Sequence, residues 1–346
     1  MKIFYGTSNN SIDVTHICLS KLANNNIITI PSGDTNRTRY FTDPLVGISK
    51  KIIISLNGAL IEFGELVAVK INTETNTVFT DDINEKLKII HSKLRIKYGT
   101  FDDELNEQKM ALRYLTGKEK VLELGGNIGR NSLVISSILE DSANLVTLEC
   151  DNDICDKLKE NRDLNNLHFN IENSALSNRK IIQKQWETLP YDVYQKEMYV
   201  KKNIPNYNKM SLDEIKSKYN IDFDTPVYDS NKQPYSDNLP IYGLTEGSTL
   251  TKTITLHELK TKYNIEFDTL VLDCEGAFYF ILMDMPEILN NIKLLIMEND
   301  YNDIRKKKYI EEVLRKNNFA VDYSEPGEWG PCADSFYEVW KKLDYV

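Results

Sequence analysis

From position 120 onward the chain alternates short apolar runs with longer amphipathic ones. KVLEL (120–124), NLVTLE (144–149), HFNIEN (168–173), FDTLVLD (267–273) and IKLLIME (292–298) have the length and apolar character of buried strands. RNSLVISSIL, the polar stretch after Glu149, FYFILMDMPEIL and residues 302–317 read as helices between or after them. Strands alternating with helices predict a parallel sheet covered on both faces. The last two runs, FAVDYS and SFYEVWKK, are joined by EPGEWGPCAD without a helix, so they must pair antiparallel. The expectation is an α/β fold on a seven-stranded, mostly parallel sheet with an antiparallel last strand.

Upstream, Ile27–Ile30, Ile52–Leu56 and Leu66–Ile71 read as strands separated by turn-rich segments such as PSGDTNRTRYFTDPLVG. They predict a small β-rich accessory module over 1–80. Its polar string Asp34, Arg37, Asp43 is either a site or a loop bonding to itself. Residues 81–119 form a helical lead-in, with Phe101, Leu105, Leu112 and Leu115 on one face. The main domain spans 120–346 and carries an insert at about 180–252.

Composition narrows the classes. A 41% hydrophobic and 27% charged chain of 346 residues is of the soluble globular kind. No run approaches the ~18 apolar residues of a membrane span, and the start lacks a signal peptide's apolar core. Five scattered cysteines read as reduced thiols, so a cytoplasmic location is expected. A net charge of −10 disfavours nucleic acid as partner. The run Arg305-Lys306-Lys307-Lys308 reads as a solvated helix face.

The stretch VLELGGNIG (121–129) ends a strand where ligands of open parallel sheets sit. Gly125 and Gly126 let backbone approach a ligand, and Gly129 lets the following helix pack tightly. The dinucleotide glycine spacing fails from either starting glycine, and no P-loop Lys-Ser/Thr follows. Instead Glu123 precedes the glycines. A carboxylate there repels a pyrophosphate and suits a cationic ligand such as S-adenosylmethionine. Glu149 ends the second strand, where it can accept two ribose hydroxyls, while Asp151 is placed to cap the next helix. Ser174 and Ala175 follow the third strand, where an adenine edge would lie.

ELGGNIGRNS, TLECD, NSALS, TLHEL with LVLDCEGA, and LIMEN, in that order over residues 105–346, resemble the FkbM-type family of S-adenosylmethionine-dependent O-methyltransferases. The resemblance implies a Rossmann-like class I methyltransferase fold and S-adenosylmethionine as cofactor. It implicates Glu123, Gly125, Asn127, Gly129 and Glu149 in binding it, and sets Asp273 and Glu275 beside the reacting centre. Val271 and Phe278 depart from the family's Lys and final Glu, which leaves the substrate open. The family implies an acceptor hydroxyl on a sugar, glycan or small molecule. Asp273 is the first candidate base and Glu275 the second. Glu298 and Asp300 could join Asp273 around a divalent cation, but no metal site is assigned. Two rival readings stay open: a non-catalytic glycan-binding scaffold, and a nucleic-acid methyltransferase.

One phrase occurs twice. SLDEIKSKYNIDFDTPVYD (211–229) and TLHELKTKYNIEFDTLVLD (255–273) agree at twelve of nineteen positions. Both begin as capped helices, Ser211 with Glu214 and Thr255 with Glu258, and Asn220 and Asn264 read as left-handed helix ends. Pro226 bars the first copy from a central strand, so the second supplies the fourth strand and its acidic end. The insert holding the first copy is rich in aromatics (Trp186, Tyr191, Tyr194, Tyr199, Tyr207, Tyr235, Tyr242), and reads as either a wall of the acceptor pocket or a surface decoration.

Overall fold

Seven strands of the larger unit build one sheet in the computed structural model. It describes residues 1–56, 58–65, 67–80, 83–210, 212–219, 221, 242–327 and 329–343. The strands are β1 (Val121–Leu124), β2 (Leu145–Leu148), β3 (Asn170–Glu172), β4 (Thr269–Leu272), β5 (Leu294–Glu298), β6 (Phe319–Glu325) and β7 (Tyr337–Lys342). Their order is 3-2-1-4-5-7-6. Only β7 runs against its neighbours. This is a Rossmann-like α/β arrangement, mostly parallel with one antiparallel strand, as the sequence predicts.

Among the described residues, seven helices serve this sheet: α1 (Leu105–Tyr114), α2 (Arg130–Ile138), α3 (Asn152–Asp163), α4 (Tyr191–Asn203), α5 (Leu256–Tyr263), α6 (Phe278–Asp284) and α7 (Ile304–Lys316). Period-two alternation sorts the strand residues between two cores. Leu122, Leu124, Leu270, Leu272, Leu295 and Met297 pack with residues of α5, α6 and α7. Val121, Leu145, Val271, Leu294 and Ile296 pack with residues of α1, α2 and α3.

The lead-in differs from its expected face. Phe101 precedes α1, in a turn, and Leu105 and Leu112 are only partly buried. The buried side is Glu107, Gln108, Met110 and Ala111. Two carboxyl and amide groups there broke the apolar pattern that sequence reading follows. The basic run also differs: Lys307 is buried and bonded to Glu338 and Glu311. Lys306 lies over the Tyr279 and Phe280 rings.

Residues Met1–Ile89 form a separate compact unit from Ile90–Val346. It holds two four-stranded sheets, each antiparallel throughout, around Ile3, Tyr5, Ile28, Ile52, Ile54 and Ile71. The turn-rich segment contains a helix, Asp34–Phe41, that sequence reading missed. The polar string fastens loops. Arg37, fully buried, donates to the carbonyls of Pro31, Gly64 and Val67. Lys50 pairs with Asp34 at 2.7 Å and Asp43 at 3.0 Å.

Between β3 and β4 the insert is largely built. Strands Ile181–Lys184, Glu187–Pro190 and Ser248–Thr251 form a small antiparallel sheet, followed in part by α4. Arg179 ties it down, donating to Asp192 and Asp284. The two copies meet different fates here. In the second, Leu256 and Leu259 enter the main core, and Tyr263 donates to Glu172 at the end of β3. In the first, the helix Leu212–Tyr219 puts Ile215 into a satellite cluster with Val200, Ile204 and Ile221, and leaves Tyr219 exposed. Ser211, Asn220, Pro226 and the PVYD run lie outside the described residues.

The second copy's helix start carries a full capping box: Glu258 N–H donates to Thr255 Oγ1, and Thr255 N–H to Glu258. Its Asn264 is left-handed at φ 53°. Thr255→Ala is expected to cost about 1 kcal/mol, read as a lower urea midpoint at unchanged slope.

Candidate functional site

The ends of β1 and β4 meet with no room for a side chain. Asp273 N–H donates to the Leu124 carbonyl at 3.0 Å. A Cβ on Gly125 would lie 1.5 Å from the Asp273 carbonyl oxygen, and Gly125 has a φ of +90°. Only glycine fits there. The loop then turns over the end of β2, with Gly125 and Gly126 N–H both donating to the Leu148 carbonyl.

A cleft opens at this edge of the sheet. Of the residues expected to bind a ligand, Gly125, Asn127, Glu149, Ser174 and Ala175 line it. Asp273 and Glu275 line it as well. Glu149 Oε2 accepts the Asn127 N–H at 2.9 Å and Oε1 accepts the Asp151 N–H at 2.8 Å. Each oxygen keeps a lone pair for a further donor. Burial pushes its carboxyl up to about 7. Asp151 caps α3, as expected.

Three glycine-loop expectations are corrected. Glu123 does not line the cleft. It shares a sheet face with Thr147 and Val271, in register on either side, and accepts a hydrogen bond from Ser132 of α2. Strand alternation aims it into the helix layer, and burial lifts its carboxyl to about 7. Gly126 likewise faces inward: a Cβ would meet Thr147 Oγ1 at 2.3 Å. Gly129 makes room for Leu158 of α3, at 2.4 Å from its Cβ position, rather than for the helix it precedes. All three shape the loop from beneath.

Beyond the expected set, Trp186 and Gln183 from the insert hairpin and Phe280 and Ile281 from α6 line the cleft. Of the described insert aromatics only Trp186 is among its lining residues, and it is 62% exposed. Tyr194 bonds to Gly243 and Thr245, while Tyr199 and Tyr207 pack on the satellite cluster. Tyr235 lies outside the described residues. The aromatic richness of the insert was visible in the sequence; which ring reached the cleft lining depended on the hairpin.

The electrostatics are one-sided. Among the described residues the cleft lining contains Glu149, Asp273 and Glu275 and no Lys, Arg or His. Burial, then the charges of Glu104, Glu107, Asp300 and Glu275, hold Asp273 well above the usual carboxylate range. Burial also raises Glu275 and Glu298. Such a cleft offers a ligand acceptor oxygens and no positive side chain, and a bound cation would favour the ionised form of these acids.

Glu123 offers a direct check. Its carboxyl is raised from 4.5 to about 7 in the fold, so the folded state binds the proton more tightly. Its stabilising contribution is complete below pH ~4.5 and is lost as pH rises through ~7. Glu123→Gln is expected to stabilise the protein at pH 8 by on the order of 1–3 kcal/mol. Urea denaturation should show the gap narrowing at pH 5.

No protein-family model and no curated protein sequence matches this chain. Solved structures similar to it at low score include methyltransferases. One is an O-methyltransferase from Bacillus cereus in complex with SAH: 13% identity, TM-score 0.37, covering 75% of this chain and 90% of that one. Another is the O-methyltransferase TomG from Streptomyces achromogenes in complex with SAM: 10% identity, TM-score 0.34, covering 76% and 90%. A third is the ribosomal protein L11 methylase from Lactobacillus delbrueckii subsp. bulgaricus: 9% identity, TM-score 0.37, covering 71% and 81%. Likeness this distant carries no argument about the reaction, which rests on the cleft itself.

Proposed function

We propose that this chain is an S-adenosylmethionine-dependent methyltransferase acting on a hydroxyl, with a sugar, glycan or small molecule as acceptor. The observation that carries the reading is the cleft at the ends of β1, β2 and β4, lined by three carboxylates and no basic side chain among the described residues. That lining fits a donor bearing a sulfonium and an ammonium, and gives a dinucleotide pyrophosphate no basic side chain to pair with.

In this reading Glu149 accepts the ribose hydroxyls with the lone pairs its two amide contacts leave free. Ser174 and Ala175 flank the adenine. Gly125 lets the loop backbone lie against the ligand. When bound, the cofactor supplies an electrophilic methyl group, whose bond to sulfur breaks as its bond to the acceptor oxygen forms. Asp273 and Glu275 stand at the reacting end, where one of them takes the hydroxyl proton. The rest of the barrier is lowered by holding donor and acceptor in line.

The FkbM-type relationship is part of this proposal. Both departures from that family's signature, Val271 and Phe278, are core side chains here, absent from the cleft lining. They therefore leave the cleft chemistry untouched. Trp186, exposed at the mouth, offers a flat face for a sugar ring. The nucleic-acid alternative loses its best sequence support, because Lys306 and Lys307 of the basic run already hold intramolecular contacts.

Isothermal titration with S-adenosylmethionine and S-adenosylhomocysteine tests the donor site. Wild type should bind both, and Glu149→Ala should weaken binding at least about tenfold, the loss of a charge-assisted hydrogen bond or two. Absence of binding to the wild-type chain sinks the reading and favours a scaffold.

A further inference from the structure

Carboxylates from separate stretches of chain converge behind the reacting end of the cleft. One oxygen each from Glu107 on α1, Asp273 after β4 and Glu298 at the end of β5 all lie within 4.8 Å of one another. Asp273 also belongs to a second such group, with Glu275 and Asp300. Glu107 is 5% exposed, and its Oε2 has no hydrogen-bond partner. Asp300 is 6% exposed. Its Oδ1 accepts the Gly276 N–H at 2.9 Å, but its Oδ2 has no partner either. Arg130, near the same edge, is committed to Glu104 and Asp103.

Buried acceptor oxygens are almost always satisfied by a donor or a cation. Protonation can neutralise one acid of such a group. It does not supply what several closely set oxygens demand together. Carboxylate oxygens at this spacing are the donor set of a hard divalent cation, which takes oxygen ligands and fills its remaining positions with water.

We propose that Glu107, Asp273 and Glu298 form a divalent-cation site for an ion of the magnesium or manganese class. The site stands on these side chains alone and does not depend on which group the protein transfers. Sequence reading considered Asp273, Glu298 and Asp300 together. Glu107 entered only through the packing of α1, which sets it against Glu298 within the group. With Asp273 engaged as a ligand, Glu275, exposed on the cleft, is the carboxylate left to take the acceptor proton.

The test is a manganese titration of the full chain, with free Mn²⁺ followed by electron paramagnetic resonance. Wild type should bind one ion saturably. Glu107→Gln and Glu298→Gln should each weaken that binding at least tenfold. Glu107→Gln should still bind S-adenosylhomocysteine within twofold of wild type, which also certifies its fold. No saturable binding by millimolar Mn²⁺ overturns the proposal. So does binding that both variants leave unchanged, since the ion then sits elsewhere. Manganese bound without any S-adenosylhomocysteine affinity would keep the cation site and sink the methyltransferase reading. The reverse result would sink only the cation site.

Discussion

The contact between Gly125 and the Asp273 carbonyl is the constraint on which the cleft depends. Two adjacent parallel strands end there with their backbones too close for any side chain between them. That approach sets the loop after β1 against the acidic terminus of β4. It also leaves the amides of Gly125 and Gly126 to bond the end of β2. Three strand ends are thereby fixed together, and Glu149, Asp273 and Asn127 fall around one opening. A larger residue at 125 would separate these elements and not merely crowd a ligand.

Charge is the second organising fact. Glu104, Glu107, Glu123, Glu149, Asp273, Glu275, Glu298 and Asp300 gather toward one end of the sheet. Burying so many acids works against stability unless each finds a partner. Some do: Glu123 has Ser132, Glu104 has Arg130, and Glu149 has two amides. Glu107 and Asp300 each keep an orphaned oxygen. Stability is given up at the place where a cationic ligand or ion would repay it, a pattern common at functional sites.

The repeated phrase shows how far local sequence reaches. Both copies form a helix of the same length ending in Tyr. Their shared helix-forming residues explain that much. What differs is the surroundings. The second helix finds the main core and Glu172, and runs on into β4. The first packs Ile215 into a small satellite cluster with Val200, Ile204 and Ile221. Similar local instructions thus produce one part of the sheet support and one helix outside the main core.

The seven strands, their order of appearance and the antiparallel final pair were legible, because buried strands and amphipathic helices have periods that a chain cannot hide. Most of the cleft was legible too, since ligands gather at strand ends and glycines mark close approach. Glu123 was misjudged, although the alternation Val121, Glu123 against Leu122, Leu124 already separated it from the cleft side. The helix at Asp34–Phe41 escaped because its composition is that of a turn. Other features had no local signature at all. Glu107 looks like any helical glutamate, and Trp186 like any loop aromatic, until α1 and the insert hairpin are docked. The sequence by itself determined the elements and the chemistry available at their ends. Tertiary structure decided which acids meet, because that depends on distances between segments far apart in the chain.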